Sequence, residues 1–213
     1  MNDRQYSPLD HIIMQVNNGL ATLFSDLIPG RPNPANDLKE PKLTADEKKQ
    51  SIGYMRVNHT GEVCAQALYN GQAITAHNKK TQAMLEKASA EETDHLAWCH
   101  DRLKELGGHR SYLNIFWYGN SFAMGMIAGL AGDKWSLGFV EETEKQVEAH
   151  LESHLNKLAK HDNKSRKIVE QMKADEIQHA QSAKKAGAAE LPSIIKKLMT
   201  LHAKVMTTTA YFI

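Results

Sequence analysis

The chain has 213 residues, of which 41% are apolar and 24% charged, and 26 basic against 25 acidic residues leave a formal net charge of +1. This length suits one domain with appendages and is sufficient for a buried core. The balanced charge argues against a general nucleic-acid binder, and we expect no nucleic-acid partner. Cys64 and Cys99 form no CxxC pair, which favours a reducing compartment over a disulfide-stabilised fold. The first residues do not resemble a secretory signal.

The distribution of proline predicts an all-helical domain. No proline occurs between Pro41 and Pro192, although proline is common in loops and breaks helices. Short β-branched runs with a period of two, which would indicate strands, are missing from the sequence. We therefore expect long helices to make up the central part of the chain.

The N-terminal part begins with a short helix and continues into a linker. Ser7 followed by Pro8 predicts an N-cap and the first residue of a short amphipathic helix. Residues 29–41, PGRPNPANDLKEP, are typical of a linker. Thr44 with Glu47 three residues later predicts a capping box at the start of the first long helix.

The later boundaries rest on N-cap residues and on glycines that favour helix ends. The first long helix is expected to end near residue 77, and the next three to span about 81–107, 133–160 and 163–187. The predicted N-caps of these three helices are Thr81, Asp133, and either Asp162 or Asn163. Pro192 begins a last helix, whose apolar face lies opposite three lysines.

These boundaries predict three parts of the chain. Residues 1–43 hold the N-terminal helix and the linker, residues 44–190 form the helical bundle, and residues 191–213 form a C-terminal amphipathic helix. Within the bundle, residues 111–132 contain no charged side chain and are expected to form a crossover connection.

Carboxylates interrupt the apolar stripes of the four long helices. In the third helix Glu144 falls on the stripe that contains Val140 and Leu151, whereas Glu141 and Glu142 point elsewhere. The first helix has one inward glutamate, and the second and fourth each have an inward Glu-x-x-His pair. The inward set is Glu62, Glu92, His95, Glu144, Glu176 and His179.

This set matches the ligands of a two-metal carboxylate site. A Glu and a His three residues apart lie on one helix face, so both can reach the same ion. Two helices that each give one Glu, and two that each give Glu-x-x-His, form the di-iron or di-manganese pattern of ferritin-like bundles. Four carboxylates balance the charge of two divalent ions, and burying them without such ions would be costly.

A single Glu-x-x-His is usually a surface pair, so the prediction of a metal site depends on the fact that the motif occurs twice. Both pairs lie on core-facing stripes, and each is preceded by a helix with an inward glutamate. Glu62 precedes Glu92 by 30 residues, and Glu144 precedes Glu176 by 32. The sequence therefore predicts two related helical hairpins joined by the long crossover.

Four stretches closely resemble the demethoxyubiquinone hydroxylase family of ubiquinone biosynthesis, and the long N-terminal segment with its proline-rich linker resembles the bacterial members. The four stretches are RVNHTGE at 56–62, EETDH at 91–95, the region around Glu144, and DEIQH at 175–179. The resemblance extends over about residues 50 to 205. Asn58 and Thr60 depart from it, since many members have Asp and Ala there, but neither is among the ligands that the resemblance implies.

The resemblance implies a ferritin-like bundle that binds two Fe ions through all six inward residues, with Glu92 and Glu176 bridging. The implied activity is hydroxylation of a polyprenylated demethoxy-benzoquinol by dioxygen. Other proteins of the ubiquinone pathway are implied partners. A homo-oligomer is a separate expectation, which the resemblance does not carry. The rival hypotheses on the same ligand set are an iron-storage or ferroxidase-type protein, another di-metal enzyme, and a metal-free structural bundle.

Further residues are weaker candidates for the pocket or for orienting the ligands. Tyr69 follows Glu62 on the same face and could line the pocket or only fill the core. The candidates for orienting the ligand histidines are His59, Asp94, His150 and Asp175. Four residues of the uncharged segment are candidates for a substrate entrance, with a plain core helix as the alternative: Phe116, Trp117, Phe122 and Met126.

The uncharged segment and the last helix also suggest contact with a membrane. Residues 111–132 are about as long as a membrane span, but their polar residues and glycines favour an interfacial helix. The basic amphipathic last helix suits either an anionic membrane surface or a dimer interface. We expect a peripheral protein on the cytoplasmic face of the cell membrane.

Overall fold

The computed structural model describes residues 8–39 and 42–213, and every regular element within them is an α-helix. The helices are α1 (Pro8–Phe24), α2 (Ala45–Thr75), α3 (Lys79–Glu105), α4 (Asn114–Leu130), α5 (Asp133–Lys157), α6 (Asn163–Lys185) and α7 (Ser193–Phe212). The all-helical prediction is therefore confirmed for the described residues. Ser7, the predicted cap of the first helix, lies outside them.

Four long helices form the bundle, and the other three pack on its outside. α2 pairs with α3 and α5 pairs with α6, while further contacts join α3 to α6 and α2 to α5. α4 lies in the crossover between the two hairpins and packs along α2. α7 lies against α2 and α5, and α1 lies against α2 and α4.

The bundle core has two apolar clusters, which we call the lower and the upper cluster. Both clusters include residues of all four bundle helices. Along each of these helices, the inward glutamate lies between the residues of the lower cluster and those of the upper cluster. The lower cluster includes Met55, Trp98, Cys99, Leu151, Ile168 and Met172. The upper cluster consists of Ala65, Tyr69, Ala73, Leu85, Ala88, Val140 and Ala183.

Two of the predicted helix starts are confirmed. The Thr44 hydroxyl accepts a hydrogen bond from the backbone N–H of Glu47, and the Glu47 carboxylate accepts one from the Thr44 N–H, which completes the capping box. Asp162, rather than Asn163, caps α6 by accepting a hydrogen bond from the N–H of Ser165. Gly187, just beyond the end of α6, has a φ of 101°, a conformation that favours glycine.

Two other predicted caps are wrong. Thr81 lies inside the first turn of α3, and Asn78 caps that helix by accepting a hydrogen bond from the N–H of Lys80. Asp133 is the first residue of α5 and does not cap it. Its carboxylate instead accepts a hydrogen bond from the backbone N–H of His77, which ties the end of α2 to the start of α5.

The arm, defined here as residues 27–38, has no helix or strand but lies against the bundle. Ala35 is buried in the lower cluster. The backbone N–H groups of Gly30 and Arg31 both donate to a carboxylate oxygen of Asp94 on α3. The segment that the sequence predicts as a linker is therefore docked on α3.

Glycines bring α4 and α2 into backbone contact. A methyl group added to Gly125 on α4 would overlap with the carbonyl oxygen of Leu68 on α2. One added to Gly71 on α2 would overlap with the carbonyl oxygen of Phe122 on α4. No helix within residues 8–39 and 42–213 is both long and apolar enough to cross a membrane.

The close approach of these helices can be tested with two glycines of α4. We expect Gly125→Ala to destabilise the protein by about 1–3 kcal/mol, because backbone atoms must move to admit the methyl group. Gly119 has open space around its Cβ position, so Gly119→Ala should be neutral or stabilising by up to about 1 kcal/mol. Urea unfolding of both variants measures the difference. Equal stabilities would contradict the backbone contact.

Candidate metal centre

All six inward residues converge in the layer between the lower and upper clusters. Two groups have ligand atoms that lie within 4.8 Å of one another. The first group is Glu62, Glu92, His95 and Glu176, and the second is Glu92, Glu144, Glu176 and His179. Glu92 and Glu176 belong to both groups, so the cluster has the form of two adjoining sites with two shared carboxylates.

Bulk solvent is largely excluded from this layer. The four glutamates expose at most 3% of their surface and His95 exposes none, whereas the His179 side chain is 11% exposed. α3 and α6 each place two ligands on one inward face, because residues three apart lie about one turn apart, and α2 and α5 each add one glutamate. The cluster is therefore a buried polar layer within an otherwise apolar core.

His95 points one ring nitrogen into the cluster and the other away from it. Its Nδ1 lies 2.9 Å from Glu92 Oε2 and 3.2 Å from Glu176 Oε1. Its Nε2 lies 2.9 Å from Asp175 Oδ2. With Nε2–H donating to Asp175, Nδ1 is the ring nitrogen that faces the cluster and can bind a metal ion once its proton is displaced.

His179 has the equivalent arrangement on the other side of the cluster. Its Nδ1 lies 3.1 Å from Glu176 Oε2 and 3.2 Å from Glu92 Oε1, and its Nε2 lies 2.9 Å from Glu91 Oε2. The residue before each Glu-x-x-His motif thus contacts the histidine of the other motif. Asp175 was a candidate for this role. Glu91 was missed, although its position before Glu92 matches that of Asp175 before Glu176.

The other candidates for orienting the ligands have different partners. Asp94 pairs with Arg31. His59 lies near the side-chain amide of Asn114, and burial lowers the pKa of His59 to about 3. The His150 ring packs edge-on against the His154 ring at 4.0 Å between centroids, and burial lowers the pKa of His150 to about 4.

The cluster contains more negative charge than its surroundings can balance. Burial, followed by repulsion from Glu92, raises the pKa of Glu62 well above its usual range. Burial, followed by repulsion from Glu176, does the same for Glu144. Although burial opposes it, the pKa of His179 is raised to about 12 by the adjacent carboxylates. The metal-free cluster therefore retains protons at neutral pH.

These residues fit a pair of divalent cations. Oε1 of Glu144 is buried and accepts no hydrogen bond within residues 8–39 and 42–213. Four carboxylates and two neutral imidazoles suit iron or manganese and balance the charge of two divalent ions. A cation beside Glu144 would supply the partner that this oxygen lacks.

The candidate pocket residues have diverse surroundings. Tyr69 is fully buried in the upper cluster, and its hydroxyl has no hydrogen-bond partner within the described residues. Trp117 is buried against α2 and α7, Phe122 stacks on Tyr118, and Met126 is half-buried. Phe116 is 60% exposed and points away from the core.

Comparison with known proteins identifies the family. Residues 49–210 match the family model described as ubiquinone biosynthesis protein COQ7. The chain belongs to this family. The 3-demethoxyubiquinol 3-hydroxylase of Coxiella burnetii (strain CbuG_Q212) is 62% identical over 100% of this chain and 99% of its own. The protein of the same name from Polynucleobacter necessarius is 56% identical over 96% of this chain and 99% of its own. The one from Chromobacterium violaceum is 53% identical over 95% of this chain and 98% of its own.

Membership of the COQ7 family confirms the resemblance and the fold class predicted from the sequence. The family is a ferritin-like helical bundle of the di-iron carboxylate type. The arm and α1 precede the part of the chain that matches the COQ7 model, which begins at residue 49. The relatives named above nevertheless match the chain over nearly its whole length.

The raised pKa values predict that metal binding depends on pH. A metal ion must displace the protons held by Glu62, Glu144 and the two ligand histidines, and these protons are lost as the pH rises. The affinity for Fe(II) under anaerobic conditions should therefore increase from about pH 6 to about pH 8. Calorimetry in buffers of different ionisation enthalpy measures both the affinity and the protons released. Binding that is independent of pH and releases no protons would contradict this account.

Proposed function

We propose that this chain is a di-iron monooxygenase that hydroxylates a polyprenylated demethoxy-benzoquinol with dioxygen in ubiquinone biosynthesis. The observation that supports this most directly is the 62% identity to a 3-demethoxyubiquinol 3-hydroxylase over essentially both whole chains. The relatives and the family make the chain a hydroxylating enzyme of ubiquinone biosynthesis. The identity of the metal, the ligand roles and the prenylated substrate are the parts that we add.

The two overlapping groups suggest how the ligands are divided. Glu62 and His95 would hold one iron, Glu144 and His179 the other, and Glu92 and Glu176 would bind both. When bound, the irons supply the activation of dioxygen. The apolar clusters on either side keep water from the layer, which protects a reactive centre from side reactions.

Around the irons, the chain fixes the direction of each histidine. Asp175 and Glu91 accept the Nε2 protons, so that each Nδ1 faces the cluster. Glu62 and Glu144 retain protons in the metal-free cluster and would release them as the irons bind. Both carboxylates would then neutralise the charge of the cations that displace those protons.

Iron storage on the same ligands is the alternative function. The relatives that match this chain along nearly its full length bear a hydroxylase name, which favours the enzyme. No observation on the described residues specifically favours storage, so hydroxylation is the single function that we propose.

We also propose peripheral attachment to the cytoplasmic face of the cell membrane through the outer helices. Large apolar side chains on α4 and α7 are about half exposed or more: Ile115, Phe116, Ile127, Leu130, Ile194, Leu198, Leu201 and Val205. Lys197 and Lys204 are exposed on α7, where they can contact anionic headgroups, whereas Lys196 pairs with Glu142 of α5. A prenylated substrate dissolved in the bilayer would then meet the enzyme at the membrane surface.

Oxygen labelling tests the proposed reaction. The iron-loaded protein, given a reductant, a demethoxy-benzoquinol analogue and ¹⁸O-labelled dioxygen, should place one labelled oxygen on the ring, as detected by mass spectrometry. Glu144→Ala should abolish the product, because this variant lacks one ligand of the second metal position. Glu141→Ala is the matched control, since Glu141 pairs with Lys145 outside the cluster. Unlabelled or absent product from the wild type would refute the reaction.

Vesicle binding tests the attachment. The protein should sediment with vesicles that contain anionic phospholipid and should bind less in high salt, because lysine contacts are screened. Leu198→Glu on the exposed side of α7 should weaken binding at least several-fold. Lys167→Glu, on the bundle helix α6, is the control and should leave binding unchanged. Equal binding of neutral and anionic vesicles by all three proteins would argue against this attachment surface.

A further inference from the structure

Arg31 of the arm connects two carboxylates that belong to different bundle helices. Its Nε lies 2.6 Å from Asp94 Oδ2 on α3, and its terminal guanidinium nitrogen lies 2.9 Å from Asp175 Oδ2 on α6. The guanidinium also lies 5.0 Å from the ring centroid of Trp98, whose indole N–H donates to the Arg31 carbonyl oxygen. Contacts on three sides therefore hold the side chain in one place.

The oxygen of Asp175 that meets Arg31 is the same oxygen that meets His95. Asp175 Oδ2 lies 2.9 Å from the guanidinium and 2.9 Å from His95 Nε2. The other oxygen, Oδ1, accepts a hydrogen bond from the side-chain amide of Gln171. Arg31, Asp175 and His95 thus form a continuous chain of contacts from the arm to the cluster.

The second ligand histidine lacks an equivalent support. His179 Nε2 contacts Glu91, whose side chain is 37% exposed and whose other oxygen meets Lys87, a side chain that is 77% exposed. Asp175, in contrast, is 17% exposed. The Arg31 side chain is itself 42% exposed, but Asp94 and Trp98 also hold it, whereas Lys87 reaches Glu91 as an exposed i,i+4 pair. Such an exposed pair fixes geometry poorly, so the two halves of the cluster are supported unequally.

We propose that Arg31 is a positioning residue that holds Asp175 against His95, so that docking of the arm sets the affinity of the metal position that His95 completes. This inference rests on the metal centre proposed above. It assigns a role at that centre to a residue that lies before the part of the chain matched by the COQ7 model. It also predicts that the two metal positions differ, with the His95 position responding to the arm and the His179 position independent of it.

The physical basis is the orientation of the imidazole. A carboxylate that accepts from Nε2–H fixes the tautomer and the ring plane of a ligand histidine, and the loss of such a partner typically costs about 10- to 100-fold in metal affinity. Without Arg31, Asp175 would keep its bond to Gln171 but lose the cation that directs Oδ2 toward His95. Metal binding at this position would then have to order both side chains.

The test is anaerobic Fe(II) titration of the full chain by calorimetry. Wild type should bind two ions, and Arg31→Met should bind one of them about 10- to 100-fold more weakly with little change in the other. Arg110→Met is the matched control, because Arg110 tethers the segment just before the arm through Asp26 and the carbonyl oxygen of Leu23. Arg110→Met should bind both ions like the wild type.

A double-mutant cycle shows whether Arg31 acts through Asp175. Asp175→Asn should weaken the same metal position, and adding Arg31→Met to it should cost little more. Full additivity of the two losses would overturn the inference, as would wild-type affinity in Arg31→Met. If the wild type binds no iron, the proposed metal centre is refuted together with this inference. If the wild type and Arg31→Met both bind two ions with equal affinities, only this inference is refuted.

A spectroscopic readout separates positioning from general stabilisation. In the Co(II)-loaded protein, the two ligand histidines should give two paramagnetically shifted, exchangeable Nε2–H signals in the proton NMR spectrum. The signal of His95 should exchange with solvent more slowly in wild type and faster in Arg31→Met, while Arg110→Met leaves it unchanged. An Arg31→Met protein with the wild-type exchange rate would contradict a positioning role.

Discussion

The structure depends on the burial of four carboxylates in one layer of a helical bundle. Isolated carboxylates in such a position would be strongly destabilising, and the raised pKa values of Glu62 and Glu144 express this cost. Two divalent cations would remove it by providing four positive charges in the same layer. The apolar clusters on either side make the layer dry, so that the ion–carboxylate attraction is strong.

This requirement accounts for the repeated hairpin. α2 with α3, and α5 with α6, each provide one glutamate and one Glu-x-x-His, and the two hairpins contribute equivalent halves of the cluster. The pairing of Asp175 with His95 and of Glu91 with His179 links the halves, because each motif orients the histidine of the other. The equivalence ends outside the bundle, where Arg31 of the arm contacts Asp175 but the exposed Lys87 contacts Glu91.

The inward residues could be predicted because they depend on helical periodicity, a local property of the sequence. The caps at Thr44 and Asp162 were equally local. The prediction for Thr81 was wrong because Asn78, which caps equally well, lies three residues earlier. The prediction for Asp133 was wrong because its carboxylate accepts a tertiary hydrogen bond from the N–H of His77 instead. The docking of Arg31 could not be predicted, since its partners lie more than 60 residues away in sequence and no periodic pattern connects them.

The central claim is that the buried cluster holds two metal ions with Glu92 and Glu176 shared between them. Anomalous X-ray diffraction at the iron absorption edge, on crystals grown anaerobically with Fe(II), tests this most directly. We expect two anomalous peaks in the layer between the apolar clusters, with the Glu92 and Glu176 carboxylates each in contact with both. A single peak, or iron only at the protein surface, would contradict the account.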